Sequence, residues 1–564
     1  MEEGSVTYIV HERFGGIAPK VHPSKLASEL ATVANHTDLD SGRLRGLREP
    51  LATTFAPDAG VKTVYPYGGS WLEWNEYVSV AENPIANDVW NRLFYTDSAY
   101  PKMRIGAATY RLGIPRAEKP TVVPPTLPVG AEDVESLLEL EDIYYVVTLV
   151  DVLGTEGPPS AASAVVRRIR DQEVQVNFGA IPAGNYHLGT GALMRIYRSN
   201  TGTDSTVFQY VGETGITESG FLDTIPNSQL QEILPSGTWI GPPDDQSGLW
   251  PDGPLQGLCL GPNGMMAGFA KNTIYVSEPY LPHAWPNEYK TTISGLIKGI
   301  VWIASGLLVV TDGAAVILTG SHPASMTVFS PEKSWPCRAA QSIVDMGGWA
   351  IYVGSDGLVG VDGSSFTLLT EQLMDTSAWQ FRTRPDSVAG NSEGRYVLFT
   401  NAGVWPLSMM FDPQGGKNAL VDIPDTHSYV TYTDSESKLV IKQGSFLSYF
   451  DRGATRQEFA WQGKLHVLPG KTNFAYLEVH ADFTGGKSVE VRVMGSNVGT
   501  PYASSLASTD YPRVDVYTVT SAITALSDEW AWDRYQVSIS TIGVTNPVTE
   551  VTAVILHEDL SELG

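Results

Sequence analysis

Five hairpin-like units recur between residues 264 and 450 at nearly constant spacing, and that spacing restricts the fold more than any other feature of the chain. They are GMMAGFA-KN-TIYVSE around Asn272, GLLVVT-DG-AAVILTG around Asp312, AIYVGS-DG-LVGVDG around Asp356, RYVLFT-NAG-VWPLSMMF around Asn401 and KLVIK-QG-SFLSYF around Gln443. In each, apolar runs flank residues that tolerate a tight turn. Successive turns are 40, 44, 45 and 42 residues apart. A strand-rich period of this length is that of propeller blades, because each blade is a four-stranded sheet that must pack face to face with its neighbours. A sixth unit, SWLEW-NE-YVSVA around Asn75, lies 197 residues before Asn272, which predicts an insertion between them.

The insertion has its own character. It opens with the proline-rich KPTVVPPTLP at Lys119 and closes near ILPSGTWIGPP at about Pro235. Within it, Tyr144 to Val150 reads as a strand, Gly154 to Pro159 as its exit turn, and Met194 to Arg198 with Phe208 to Val211 as the arms of a polar hairpin at Gly202. About 115 residues of this pattern suit a seven-stranded sandwich. The run YYVVTLVDVLGTEGPPSAAS resembles fibronectin type III domains, with Tyr145, Gly154, Glu156, Gly157 and Ser160 at the places of that family's strand and G-x-E-G-x-x-S turn. After Gly453 the period-2 runs KLHVLP, YLEVHADF, VEVRVMG, YQVSISTIG and VTAVILHE predict a second β-sandwich. Helix is expected at one clear place, SKLASELATVA, where Ser24 can cap and Leu26, Leu30 and Val33 share a face.

At 564 residues the chain exceeds the roughly 250 to 300 at which single cores stop growing, so two to four domains are expected. No stretch approaches the roughly 18 unbroken apolar residues of a membrane span, and MEEGSVTYIVHERFGG carries acids where a secretion signal carries lysines, so assembly in the cytoplasm is expected. Cys259 and Cys337 are too few for a disulfide scaffold and read as free, buried thiols. The net charge of −25 opposes a protein that grips nucleic acid, yet an acidic wall is what lets a polyanion slide past; on charge alone, acids that simply keep the protein soluble explain the same number better.

Catalytic and metal signatures are weak. GGKS at 485 to 488 lacks the leading glycine of a phosphate loop, since Ala481 stands there, and a strand follows, so it reads as a turn. The ten histidines show no metal spacing, and His466 and His480 read as surface residues. No nucleophile or carboxylate pair is singled out by spacing, so no catalytic, cofactor or metal residue is assigned. Asn35-His36-Thr37 matches a glycosylation acceptor without a secretion signal to make it meaningful.

The stretch ANHTDLDSGRLRGLREP, residues 34 to 50, places Asp38, Asp40 and Glu49 at positions 1, 3 and 12 of a calcium-loop spacing. Gly42 and Arg43 occupy positions 5 and 6, where an oxygen ligand and a glycine are required, which excludes the metal. A phosphate strip of Arg43, Arg45 and Arg48 is undercut by the neighbouring acids. A helix, a DSG turn and a short strand remain, with the three arginines as candidate contacts to acids of a neighbouring subunit.

The run FGGIAPKVHPSKLASELATVANHTDLDSGRLRGLREP, with WLEW, FYTD ending in Pro101-Lys102, GTEGPPS and the terminal AVILHEDLSELG, is similar to tail tubular or nozzle proteins of short-tailed bacteriophages. The resemblance implies an all-β chain. Residues 1–60 would form an N-terminal assembly segment and 61–118 the first propeller part. Residues 119–235 would be a fibronectin type III-like insert, 236–453 the remaining blades of a six-bladed β-propeller, and 454–564 a C-terminal β-sandwich. It further implies a structural virion protein without enzymatic activity or cofactor, forming a ring of six below the portal and adaptor and conducting genome DNA without sequence-specific binding or membrane insertion. Tail fibres or spikes are candidate partners. Two alternatives carry different expectations: a glycan-binding or glycan-cleaving tail protein using aromatics such as Trp285, Trp335 and Trp405, and a fibre-docking or adhesion module using the insert.

Overall fold

The computed structural model describes residues 8–128, 139–201, 206–400, 408–414, 419–496, 513–527 and 531–559. The Asn401 turn, Trp405, the hairpin tip at Gly202 and the last residues of the terminal run lie outside them. The chain is all-β, with 45% strand and 5% helix, divided among many small sheets. Two compact units are formed, one from Met1–Asn75, Ile303–Val316 and Ser330–Gly564, the other from Glu76–Trp302 and Ile317–Phe329.

The recurring hairpins form where their turn residues place them. Met266–Ala270 pairs with Thr273–Val276, Ala350–Val353 with Leu358–Asp362, Arg395–Phe399 with Ser408–Asp412, and Leu439–Gln443 with Phe446–Tyr449, all antiparallel. Gly306–Thr311 and Val316–Thr319 flank the Asp312 turn, where Thr311 Oγ1 accepts from Gly313 N at 2.9 Å. The Asn75 expectation is corrected. Its hairpin is Thr63–Tyr67 with Ser70–Trp74, turning at Gly68-Gly69, and the following Ser79–Glu82 starts a separate four-stranded sheet that runs on through Leu93–Thr96, Lys102–Ile105 and Ala108–Arg111. Two consecutive glycines with φ of +60° and +81° make the tight turn that Asn75-Glu76 was expected to make.

In the Glu76–Trp302 unit, that sheet and the one built on Gln256–Leu260 and Met266–Ala270 share a core of Phe94, Met103, Leu255, Met266 and Trp285. Between them in sequence, strands from Thr121 to Asp223 enclose a second core around Tyr145, Val147, Leu149, Val176 and Ile196. The quoted turn motif explains itself here. Gly154 takes φ +78°, and a Cβ on Gly157 would stand 2.6 Å from Ile114. Ser160 Oγ accepts from Val147 N at 3.0 Å. The buried Glu156 carboxylate accepts from Thr148 Oγ1 and Tyr197 OH, each at 2.7 Å, and from Arg195 at 2.9 Å.

In the other unit the N-terminal residues are distributed as strands. The helix expected over SKLASELATVA does not form; only Pro23–Lys25 is helical, as one 3-10 turn. Backbone pairing overrides propensity here: Ala31 N donates to Gly16 O at 3.0 Å, and Val33–Asn35 pairs with Ala460–Gln462 on one side and meets Asp422 in parallel on the other. The strands Val388–Ser392, Arg395–Phe399, Ser408–Asp412 and Ala419–Ile423 thereby continue into Ala460–Gln462, Trp532–Ser540, Val489–Ser496 and Arg513–Val519 as one wide sheet. Ile9–His11 joins a second sheet beside Val551–His557 and Tyr476–Ala481. Leu51–Ala52 completes the Thr431–Tyr449 sheet as its fourth strand. The period-2 strands expected after Gly453 are all present, while GGKS links one sheet to another rather than closing a hairpin.

His11 and His466 do not fit the surface expectation made for His466. Their rings lie 5.2 Å apart, with Trp461 edge-on to His11 and Phe14 edge-on to Trp461. Burial pushes His11 down to about 4 and His466 to about 3, helped by Lys464 and, for His466, by its facing histidine; the Ser28 backbone pulls His11 the other way. His480 is elsewhere, bonded to Glu478 at 2.6 Å.

Two outcomes follow from these contacts. Glu156→Ala leaves the buried Thr148 and Tyr197 hydroxyls without their acceptor, while Arg195 keeps Glu213, and should cost about 3 kcal/mol in urea unfolding of the full chain, whereas the exposed control Glu436→Ala should leave the unfolding midpoint nearly unchanged. Because the folded-state pKa of His11 and His466 lies below the ordinary 6.5, the unfolded chain binds more protons between pH 6.5 and about 4. Stability should therefore fall as the pH drops through that window, by about 3 kcal/mol for His11 alone, and a His11→Phe chain should lose that part of the slope in thermal melts.

Candidate functional site

The residues 34 to 50 that raise competing possibilities in the sequence fold into one wall of a cavity of about 1170 Å³. Thr37–Asp38 pairs with Arg45–Gly46, and Asp40–Gly42 forms the 3-10 turn between them, as the DSG pattern predicts. The remaining walls come from the chain after Ile9–His11, from the turn between Val388–Ser392 and Arg395–Phe399, and from Asp451 to Arg456.

Six arginines line the cavity: Arg13, Arg45, Arg48, Arg395, Arg452 and Arg456. Six acids face them: Glu29, Asp38, Asp40, Glu393, Asp412 and Asp451. Arg45 reaches Asp38 at 2.7 Å and Asp40 at 3.5 Å, and Arg456 meets the same Asp38 oxygen at 3.5 Å. Asp451 accepts from the Arg48 backbone at 2.6 Å through one oxygen and from Arg395 at 2.6 Å through the other. Glu393 takes Arg452 at 2.5 Å. Burial opposes the charge on Arg395, yet Asp451, with Asp38 and Glu393, holds its pKa above the ordinary arginine value.

Of the three arginines proposed from sequence, the structure brings Arg45 and Arg48 into this cavity and leaves Arg43 outside it, paired with Glu550 at 3.1 Å. The own-chain acids thus occupy Arg43 and Arg45, and the Arg48 side chain bonds the Gly453 carbonyl at 3.4 Å. Sequence reasoning missed Arg13, Glu393, Arg395, Asp451, Arg452 and Arg456. The one legible sign was the DRGATR run at 451 to 456, directly beyond the last recurring hairpin.

Chemically, the site is a charge-balanced lock. A phosphate could reach Arg45, Arg395, Arg452 and Arg456 only by displacing carboxylates already bonded to them, so these four offer no spare positive field. Exposed pairs of this kind are worth about 0 to 1 kcal/mol each, and their main effect is to fix register. Among the described residues no group of three or more His, Cys, Asp or Glu could hold a metal, and no helix is long and apolar enough to cross a membrane. Cys259 and Cys337 are free, and burial pushes the Cys259 thiol up to about 12, far from a reactive thiolate. Trp285 is core, with its Nε1 bonded to Pro282 O at 2.8 Å. Trp335 stacks on Phe366, with Lys333 over its ring at 4.4 Å.

No protein-family profile and no curated protein match the chain. Among solved structures, an exo-β-1,3-galactanase from Phanerochaete chrysosporium is 10% identical with a TM-score of 0.19, covering 53% of this chain and 95% of the galactanase. The extracellular domain of a putative one-component system from B. thetaiotaomicron is 9% identical with a TM-score of 0.25, covering 95% of this chain and 74% of that one. Trypanosoma rangeli sialidase is 9% identical with a TM-score of 0.18, covering 96% of each. Likeness at this level carries no conclusion about fold or activity.

The charge balance is directly testable. Wild-type chain should not bind a short DNA duplex in fluorescence anisotropy. A chain with both Asp38→Asn and Asp451→Asn, carrying two uncompensated arginines, should bind weakly, with affinity falling roughly tenfold between about 50 and 200 mM salt.

Proposed function

We propose that this chain is a structural component of a tailed-phage virion, a tail nozzle whose copies form a ring of six and continue the DNA-ejection channel below the portal and adaptor. The observation that carries this is the recurrence of four-stranded antiparallel sheets at the period seen in the sequence, interrupted after the first by a separately cored insert and followed by paired C-terminal sheets. This order is the one that the resemblance implies: a six-bladed propeller, a fibronectin type III-like insert and a terminal sandwich. In this reading the six blades, expected at the units near Asn75, Asn272, Asp312, Asp356, Asn401 and Gln443, would be the sheets or strand groups beginning at Ser79, Gln256, Ile297, Val344, Val388 and Thr431.

Two physical features suit the role. The charge of −25 favours a wall that does not trap phosphates, so DNA moves without sequence-dependent pauses. Arg43 and Arg45 are paired with Glu550 and Asp38 of their own chain and Arg48 bonds the Gly453 carbonyl, contacts that hold these segments in register. The role is architectural, with no catalytic residue, cofactor or metal assigned; adaptor proteins, and tail fibres or spikes, are its partners in the virion, which assembles in the host cytoplasm.

Negative-stain and cryo-electron microscopy of the purified chain and of intact particles test this. The expected result is a ring of six copies with an open channel, found again at the tail of the virion. Monomers absent from virions, or saturable hydrolysis of host surface polysaccharide, would overturn it.

A further inference from the structure

Two unused features of the Glu76–Trp302 unit complement each other. The first is a projection. The loop from Asn83 to Asn91, between Ser79–Glu82 and Leu93–Thr96, carries Ile85, Val89 and Trp90 at 46%, 89% and 49% exposure. Large apolar side chains on a free loop would fold back onto the surface. Here the backbone is braced from within: Asp88 accepts from Arg92 N and Nε, both at 2.9 Å, and Asn83 Oδ1 accepts from Ile85 N at 3.1 Å. The Asp88–Arg92 ion pair also cancels the charge at the base of the loop. The result is a rigid, apolar, uncharged knob.

The second feature is a hole of about 840 Å³, walled by Leu112, Ile114, Pro242, Leu249, Trp250 and Tyr275. Leu249 is 70% exposed, and Trp250 stands edge-on to Tyr275 at 5.9 Å between ring centres. Of the two arginines in its wall, Arg116 is exposed and Arg111 is already committed: it bonds both oxygens of Asp245 at 2.8 and 3.1 Å and lies 3.9 Å from the Tyr100 ring centre. The hole is thus an aromatic and proline-lined pocket with charged groups at its edge, of the size that takes side-chain anchors.

We propose that the Ile85–Val89–Trp90 tip of one copy seats in this pocket of the next copy. The inference rests on the ring reading above and names one of its contacts. Knob and hole are different patches of the same unit, so the contact is heterologous, and head-to-tail contacts of that kind generate a ring when the rotation closes. A second copy is the occupant that uses both features at once, whereas a lipid surface would use only the knob and an oligosaccharide only the hole. The tip exposes on the order of 300 Å² of apolar surface, below the roughly 800 Å² per partner of a standard interface. It is therefore an anchor within a larger contact, where tryptophan is the commonest hot-spot residue.

The test is analytical ultracentrifugation and disulfide trapping on the full chain. Val89→Asp, a change at a nearly fully exposed position, and Trp250→Ala should each weaken self-association by at least about tenfold. A chain carrying Val89→Cys and Leu249→Cys should give, on oxidation, a ladder of covalent oligomers that neither single variant gives; Cys337 is buried and Cys259 is half-buried. If the wild type forms rings that both substitutions leave intact and no ladder appears, this contact is wrong and the ring reading survives. A wild type that stays monomeric at every concentration overturns both. Val89-dependent flotation with phosphatidylcholine vesicles, or Trp250-dependent binding of host surface polysaccharide by a monomeric chain, overturns the contact in favour of those occupants.

Discussion

The backbone hydrogen bonds of three residues, Val33–Asn35, hold the larger unit together. Without that strand, Ala419–Ile423 and Ala460–Gln462 would each present an open edge of unpaired amides and carbonyls, which water or another chain would have to satisfy. With it, one sheet runs uninterrupted from Val388 to the C-terminal strands. Because a ladder bond needs the backbone and not a particular side chain, the segment has given up its helical pattern. Leu26 is still buried, but in an extended connection rather than on a helix face.

The charged cavity is a consequence of that threading. Once residues 33 to 35 are fixed in the sheet, Asp38 and Arg45 come to face the turns at Glu393 and Asp451. Charges brought together in this way must be matched pair by pair or leave a costly uncompensated group. Four of the lining arginines are matched in this way, Arg45 and Arg456 to Asp38, Arg395 to Asp451 and Arg452 to Glu393. The same logic governs the insert, where Tyr145 and Arg198 both close on the buried Asp223 carboxylate.

Much of the fold was legible because it is local. A turn residue between two apolar runs predicts a hairpin whatever its surroundings, and the turns at Asn272, Asp356 and Gln443 formed accordingly. Period-2 alternation after Gly453 gave the terminal strands for the same reason. The errors fell where distant partners compete with local preference. SKLASELATVA lost its helix to strands more than 380 residues away, and the Asn75 hairpin lost to a pair of glycines a few residues upstream. Of the candidate site, the half carried by residues 38 to 48 could be seen in sequence. The half carried by Glu393, Arg395 and Asp451 could not, since no spacing rule joins residues so far apart.

The sequence by itself determined that the chain is all-β, that its hairpins repeat every forty-odd residues, and that the 34 to 50 stretch is neither a calcium loop nor a phosphate strip. Those properties depend on turn geometry, side-chain period and ligand chemistry, all of which act over a dozen residues or fewer. Only the tertiary structure decided which strands share a sheet, which carboxylate neutralises which arginine, and that Ile85, Val89 and Trp90 stand outside while Trp285 lies in the core. Pairing across hundreds of residues is settled by the burial and hydrogen bonding of the whole chain at once, and no local pattern encodes it.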